Sequence, residues 1–196
     1  VRMRTQGAWI RDEAFFSFNP GGELPSFGDC DFWVGFGGWG ISEWVEEVIE
    51  QARLMPQTPG ERAEVRRLVD WFEIKFTHEV SAPLLRERVI KRFDKGQPAS
   101  SEIMRAALSN AQTHLGYIDW LASQNPWLAG ANMSLCDLAA AAHLSVLDYF
   151  GDVNWTKHTD AKMWYMKLKS RPSFRPLLAD VLVGMPPAST YSALDF

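Results

Sequence analysis

The segment 133–147 constrains the fold of this chain more than any other stretch. Ser134 is followed three residues later by Asp137, which is the spacing of a capping box, where each side chain binds the other residue's backbone amide at a helix start. Met133 and Leu138 fall at the two positions of a hydrophobic staple, which fixes the direction in which the chain enters the helix. The pattern therefore predicts a helix that begins here, with Ser134 and Asp137 in a structural role.

The helix that follows this box is apolar on nearly every side because it contains a run of alanines. A helix of that kind is typical of the middle of a bundle. We therefore predict that the helix over 135–150 is the hub of an α-helical domain. Its main apolar face is predicted to consist of Leu138, Ala141, Ala142 and Val146.

Further helical patterns surround this hub. Apolar residues recur every three or four positions between Val65 and Phe76, and again between Met104 and Leu121, which predicts two long amphipathic helices. Pro83 is predicted to kink or end the first of them. Shorter helices are expected over 160–169 and after Pro172.

The first fifty or so positions have a different character, with turn residues between short apolar runs. They predict a strand over 1–9, a helix over 11–18, a hairpin whose turn lies at Gly28-Asp29, and a helix over 41–52. The proline-rich stretch 55–60 is predicted to be a linker. We therefore expect an α/β module over 1–53, an all-α domain over 54–183, and a tail over 184–196.

Composition excludes several classes of function. A net charge of −4 argues against non-specific nucleic-acid binding, and no apolar run approaches the roughly 20 residues that span a bilayer. The two cysteines, Cys30 and Cys136, are far apart and lack metal-ligand spacing, so we expect no metal site and a reducing, cytoplasmic compartment. Cys136 is interpreted as a packed thiol. Cys30 is interpreted as a surface thiol and not as a catalytic nucleophile.

Other titratable residues are weak candidates for chemistry. His78, Glu79, His114 and Asp119 could act as acids or bases, but scattered histidines are more typical of surface or half-buried helix positions. A basic cluster is interpreted as a solvated helix face, with binding of an acidic partner as the alternative. The cluster consists of Arg66, Arg67, Arg86, Arg88, Lys91 and Arg92.

Three motifs, in this order, carry a family likeness. The stretch Phe18–Pro25 resembles the Asn-Pro-x-Gly-x-x-Pro segment of the glutathione S-transferase superfamily, whose final proline is cis. Ile41–Glu47 is similar to the family's Ala-Ile-x-x-Tyr-Leu segment, and Trp127–Gly130 with the box at Ser134 and Asp137 resembles its Leu-x-Gly and capping-box pair. The resemblance implies a partial thioredoxin-like module followed by a helical bundle. It also implies a homodimer whose interface is supplied by helix 59–82. The alternative is an unrelated helical bundle, because Ser-x-x-Asp alone is common.

Two departures from the family pattern bear on function. The family's first strand and helix, which carry the catalytic Ser, Tyr or Cys, are expected upstream of Val1, and the absence of an initial methionine suggests truncation or an unusual start. We therefore assign no catalytic residue. Gly37-Gly38 replaces the family's Glu/Asp-Ser pair, so the glutathione site implied at Leu24, Pro25, Gly37 and Gly38 is degenerate. Whether glutathione binds is left open.

The tail carries a second likeness. Residues 184–187 and 191–196 resemble the C-terminus of an alphaproteobacterial branch of glutathione-transferase-like proteins, which includes a cell-division protein that binds and curves FtsZ filaments. The resemblance implies a non-catalytic scaffold that binds a protein partner, with FtsZ as the candidate. Aromatic residues are enriched at binding hot spots, which makes Trp39 a proposed contact. The apolar residues next to Asp195 are typical of a docking peptide, so Tyr191, Leu194, Asp195 and Phe196 are the other proposed contacts.

Three alternatives remain open at this stage. The chain could be a transferase that conjugates glutathione to small electrophiles, with its catalytic first strand absent from the sequence. It could be a monomeric adaptor that uses only the helical domain. The tail could instead fold into a groove of that domain, so that its apolar residues never meet a partner.

Overall fold

The computed structural model of the protein describes residues 12–22, 24–28, 34–49, 53–93 and 97–194. The chain divides into two compact units, Val1–Arg53 and Leu54–Phe196, which are described separately below. The predicted strand over 1–9 and the predicted surface thiol of Cys30 lie outside the described residues. The same is true of Asp29 in the predicted hairpin turn.

Within its described residues, the first unit contains two helices and a two-stranded hairpin. Helix α1 (Glu13–Phe18) is N-capped by the Asp12 carboxylate, which accepts hydrogen bonds from the Ala14 and Phe15 amides. Strands β1 (Ser26–Gly28) and β2 (Val34–Phe36) pair antiparallel, with Phe27 opposite Gly35. Helix α2 (Gly38–Val48) begins three residues before the predicted start at Ile41.

Asn19 fastens the turn after α1 to the hairpin. Its side chain is buried, its amide nitrogen donates to Ser26 Oγ at 2.8 Å, and its Oδ1 accepts from the Gly22 amide at 3.2 Å. These bonds satisfy the buried amide group. They also place the cis Leu24–Pro25 peptide directly before β1.

The second unit is helical. Its first element, α3, covers residues 59–93 without interruption, so of the predicted kink or end at Pro83, the end is wrong. It is α-helical over Pro59–Asp70, π-helical over Trp71–Ser81, α-helical over Ala82–Leu85, π-helical over Arg86–Ile90 and α-helical over Lys91–Phe93. Thr58 caps its start by accepting the Glu61 amide.

The continuation of α3 past Pro83 is explained by how the Glu79 carbonyl and the neighbouring backbone are hydrogen-bonded. Proline has no N–H for the carbonyl four residues earlier, and its ring crowds that carbonyl. The carbonyl belongs to Glu79, and the Asn110 side chain of the neighbouring helix donates to it at 3.2 Å. Just before the proline the hydrogen bonds shift to the wider π pattern, with the Ala82 amide bonded to the Thr77 carbonyl. The helix therefore accommodates Pro83 without ending.

Three more helices complete the unit and agree with the predicted pattern to within a few residues. Helix α4 covers Ser101–Gln124, α5 covers Leu135–Tyr149 and α6 covers Thr159–Lys169. Short 3₁₀ turns cover Trp155–Lys157 and Arg175–Ala179. Helix α5 packs against both α3 and α6, and ten of its fifteen residues are buried, so it is the hub that the sequence predicts.

The buried face of α5 differs from the predicted one. Ala142 is exposed, and Leu138 and Val146 are only partly buried. The buried side chains instead include Cys136, Ala140, Leu144 and Leu147. Because α5 packs against both α3 and α6, a larger part of its circumference is buried than a single apolar face would provide.

The proline-rich stretch is not a free linker along its whole length. Met55 is part of the hydrophobic core of the helical unit. The Leu54 carbonyl accepts a hydrogen bond from the Leu135 amide at 3.1 Å, so the start of this stretch is tied to the first residue of α5. The stretch is therefore partly integrated into the second unit.

Candidate functional site

The start of α2 and the cis-proline edge meet in the first unit. Gly37 has a φ of 79°, a conformation that favours glycine, and its amide donates to the Pro25 carbonyl at 3.1 Å. That bond places Gly38, the first residue of α2, beside the Leu24–Pro25 peptide. The structure therefore brings together Leu24, Pro25, Gly37 and Gly38, the four residues of the predicted glutathione site.

This helix start offers main-chain donors and little else. Gly38, Trp39 and Gly40 are exposed, and no side chain of the described residues caps α2. The first amides of a helix attract anions, so a carboxylate could bind at this point. The hydroxyl and the carboxylate of the family's Glu/Asp-Ser pair have no counterpart at Gly37 and Gly38.

The two tryptophans of α2 have different environments. Trp44 packs on Phe27 of β1 with ring centroids 5.1 Å apart, so it forms an apolar contact between α2 and the hairpin. Trp39 is 40% exposed and stands at the helix start among the glycines. It is therefore the aromatic side chain of the described part of α2 that is available to a ligand or partner.

Three of the four candidate acid and base residues, Glu79, His114 and Asp119, have structural roles, while His78 is exposed. His114 is buried, not half-buried. Its Nδ1 accepts from Trp71 Nε1 at 3.0 Å, and its Nε2 lies 2.9 Å from Glu79 Oε2. Burial lowers the pKa of His114, and the bond to Glu79 opposes that shift. Asp119 caps α6 by accepting the Ala161 amide at 2.9 Å.

Members of the predicted basic cluster are paired with carboxylates within the unit. Arg67 bonds to Glu64 at 2.7 Å and Lys91 bonds to Glu87 at 2.7 Å. Arg88 binds Asp152 through both of its terminal nitrogens. Because these carboxylates offset the positive charges, the cluster provides little net attraction for an acidic partner.

The capping box is extended into a buried network. Asp137 is fully buried, and it forms a capping box with Ser134. Its Oδ2 accepts from the Ser134 amide at 2.8 Å and from the Ser134 hydroxyl at 3.0 Å, while its Oδ1 accepts from the Leu128 amide at 2.9 Å and Trp164 Nε1 at 2.8 Å. Burial raises the pKa of Asp137 and these four hydrogen bonds oppose the rise. The network ties α5 to α6 and to the loop before the box.

The tail lies on the helical unit. Tyr191, a predicted partner contact, is 2% exposed, so its ring is covered by the protein itself. Leu194 is partly exposed, and Asp195 and Phe196 lie outside the described residues. The alternative that the tail folds into a groove therefore holds for Tyr191.

The residues that hold Tyr191 were not identified from the sequence. Lys169, fully buried at the end of α6, bonds to Asp148 at 2.9 Å. Burial raises the pKa of Asp148, and its hydrogen bond with Lys169 opposes that rise. One pattern could have indicated the pair: Lys169 follows Tyr165 by four residues and so extends the apolar face of α6 with a charge.

The described residues contain no cluster of three or more His, Cys, Asp or Glu side chains that could hold a metal ion. Cys136 is a buried free thiol, and burial together with the nearby Asp137 charge raises its pKa to about 12. It is therefore not a nucleophile at neutral pH. Within the described ranges, no helix is long and apolar enough to cross a membrane.

Comparison with known proteins gives a consistent result. No protein-family model matches the chain. The chain is 50% identical over 156 residues to FtsZ-localized protein A of Caulobacter vibrioides, covering 80% of this chain and 68% of that protein. It superposes on a glutathione S-transferase from Rhodospirillum rubrum with a TM-score of 0.90 and 46% identity, covering 96% and 84% of the two chains. It superposes on FzlA from C. crescentus with a TM-score of 0.88 and 46% identity, covering 93% and 82%.

These similarities place the chain in a protein class. It belongs to the glutathione S-transferase superfamily, which confirms the predicted fold of a thioredoxin-like module followed by a helical domain. Within the superfamily it lies in the branch that contains FtsZ-localized protein A.

Proposed function

We propose that the chain is a glutathione-transferase-like scaffold that binds FtsZ in the cytoplasm. The observation that carries this proposal is the 50% identity to FtsZ-localized protein A. The exposed Trp39 and the end of the tail, from Leu194 onwards, are the proposed contact residues. Tyr191 contributes by holding the tail and not by touching the partner.

The start of α2 supports a binding role over a catalytic one. A transferase of this superfamily fixes the γ-glutamyl carboxylate of glutathione with a side-chain hydroxyl as well as backbone amides. Here the Gly37 amide is already bonded to the Pro25 carbonyl, and Gly38 offers only its backbone amide. A glutathione held only by the main chain is bound more weakly, because each charge-assisted hydrogen bond contributes about 1.5 to 3 kcal/mol.

The scaffold is proposed to be a homodimer whose interface is formed by residues 59–82 of α3. Ile74, in the middle of this segment, is largely exposed, which supports an apolar contact at this face. The Ile74→Glu variant should therefore lower the mass measured by light scattering from dimer to monomer. Ile103→Glu, at an exposed position of α4, is the matched control and should stay dimeric.

The test of FtsZ binding is co-sedimentation of the full chain with purified FtsZ polymers. Trp39→Ala and a chain that ends after Tyr191 should each sediment less with the polymers. Trp120→Ala removes an exposed tryptophan of the helical unit and should sediment like the wild type. If the wild-type chain stays in the supernatant, the proposed function is wrong.

Glutathione conjugation is the second candidate function. It is favoured by the exposed amides at the start of α2, which remain available to an anion. Calorimetric titration with glutathione, together with a conjugation assay on a small electrophile, decides between the two candidates. Tight glutathione binding and ordinary conjugating activity would favour the enzyme over the scaffold.

A further inference from the structure

Tyr149, the last residue of α5, binds the start of the tail and the residues just before it at three points. Its hydroxyl accepts from the Leu182 amide at 2.8 Å and donates to the Met185 carbonyl at 2.6 Å. Its backbone carbonyl accepts from the Ala188 amide at 2.8 Å. One residue of the hub helix therefore fixes the path of the chain over 182–188.

A buried ion pair lies under the next part of the tail. Lys169 Nζ is 2.9 Å from Asp148 Oδ2 and 3.4 Å from the Thr190 carbonyl. It also lies 5.6 Å from the ring centroid of Tyr191. A buried ammonium is costly unless its donors are satisfied, and here the tail backbone and an aromatic face of the tail are among its partners. The ion pair and the tail therefore stabilise each other.

Tyr191 closes this arrangement. Its ring packs edge-on against Tyr149 with centroids 5.1 Å apart, and its hydroxyl donates to the Leu177 carbonyl at 3.3 Å. Gly151, with a φ of 70°, lets the chain approach closely, since a Cβ there would lie 3.3 Å from Ala188 Cβ. The tail thus lies in a fitted groove up to Tyr191.

We propose that Asp148, Tyr149, Lys169 and Tyr191 form a tail anchor, a set of positioning residues that holds residues 182–191 in one conformation and presents residues 192–196 to the partner from a fixed point. This inference rests on the proposed function, in which the end of the tail contacts FtsZ. A segment that is ordered before binding loses less conformational entropy on binding, so anchoring increases affinity without adding a contact.

The anchor is tested with Tyr191→Ala and Tyr191→Phe in the full chain. Tyr191→Ala should raise the hydrogen-exchange rate of the Ala188 amide about tenfold and weaken co-sedimentation with FtsZ polymers about tenfold. Tyr191→Phe keeps the ring and should behave nearly like the wild type. The thermal midpoint should fall in Tyr191→Ala, which loses a buried ring, and stay close to the wild-type value in Tyr191→Phe. A cooperative unfolding transition in both variants shows that the helical unit is still folded, which separates positioning from folding.

Tyr117→Ala, on α4, is the matched control and should leave the exchange of the Ala188 amide unchanged. Lys169→Met is a second probe that removes the buried charge, and it should also release the tail. The anchor is overturned if Ala188 exchanges equally fast in the wild type and in Tyr191→Ala. It is also overturned if Tyr191→Ala sediments like the wild type while removal of residues 192–196 abolishes binding.

Failure of the proposed function gives a different result. In that case the wild-type chain does not sediment with FtsZ, while the Ala188 amide still exchanges faster in Tyr191→Ala. That outcome overturns the positioning role and leaves the ordering of the tail as a property of the fold. The exchange and sedimentation measurements therefore separate the two failures.

Discussion

The starts of α2 and α5 present the same physical problem and resolve it in opposite ways. Each helix has main-chain amides without intrahelical partners. At α5, Ser134 and Asp137 form a capping box and the carboxylate accepts four hydrogen bonds. At α2, Gly37 contributes no side chain to the cap. The start of α5 is therefore capped by side chains, while the start of α2, beside the predicted ligand site, has no side-chain cap among the described residues.

This contrast teaches which part of the family fold the chain has kept. The capping box stabilises the domain whatever the protein binds, so its loss would lower the free energy of unfolding. In the family pattern the Glu/Asp-Ser pair contacts glutathione, so we expect its replacement by Gly37 and Gly38 to alter ligand binding more than folding. A protein that acts as a scaffold can therefore lose the glutathione-binding pair, but it cannot lose the capping box.

The largest expected effect comes from removing the capping carboxylate at the start of α5 with Asp137→Ala. The Leu128 amide, the Trp164 indole and the Ser134 amide would each lose a buried acceptor. We expect the free energy of unfolding to fall by about 3 to 5 kcal/mol, measured by urea denaturation. Asp160→Ala, at the exposed start of α6, is the control and should cost about 0.5 kcal/mol or less. A loss below about 1 kcal/mol for Asp137→Ala would contradict the saturated network.

The second expected effect is a dependence of the free energy of unfolding on pH, caused by a buried histidine of α5. His143, on α5, lies 2.9 Å from the Ser81 hydroxyl, and burial lowers its pKa to about 4 from 6.5. Because the folded-state pKa is depressed, its contribution is fully present above about pH 6.5 and is lost as the pH falls through about 4. The difference between the two pKa values corresponds to about 3 kcal/mol of unfolding free energy.

The measurement is the unfolding free energy between these two pH values. His143→Gln and His143→Phe remove the titrating group, so both should flatten the rise of stability with pH, whatever their stability at neutral pH. If the slope of both variants equals that of the wild type, another group is responsible for it.

Much of the fold could be predicted because its determinants are local. The Ser134-x-x-Asp137 spacing fixes the start of α5, and the apolar periodicity marks α3 and α4 without any tertiary information. The family motifs add the cis proline before β1. These patterns depend on residues within a turn or two of each other, which is the range over which sequence patterns are informative.

The features that the sequence did not reveal depend on distant residues. Asn110, which serves the Glu79 carbonyl beside Pro83, lies on another helix, so α3 continues where local rules predict a kink or an end. The sequence alone predicts Tyr191 to be a docking residue, but in the structure its ring packs against Lys169 and Tyr149. The wider buried arc of α5 likewise follows from contacts on two sides.

The Asn110 contact gives the third prediction, which concerns a single carbonyl. Asn110→Leu should lower the free energy of unfolding by about 1.5 kcal/mol, because the Glu79 carbonyl loses its donor. Adding Pro83→Ala restores a backbone N–H four residues after Glu79, so the same change should cost less in that background. A double-mutant cycle by urea denaturation measures this coupling. Equal costs in the two backgrounds would show that Asn110 does not act through this carbonyl.

The smallest expected effect comes from adding a side-chain hydroxyl at the start of α2 with Gly38→Ser. A Cβ at Gly38 meets no atom within 4 Å, so the substitution should fold normally and place a hydroxyl at the start of α2. One additional hydrogen bond to an exposed carboxylate should increase glutathione affinity about fivefold, or about 1 kcal/mol, measured by calorimetry. Gly40→Ser adds the same hydroxyl two residues further on, where a Cβ is equally unhindered, and should leave the affinity unchanged. Equal gains in both variants would mean that the position of the hydroxyl does not matter, and the open helix start would then not be a remnant of a glutathione site.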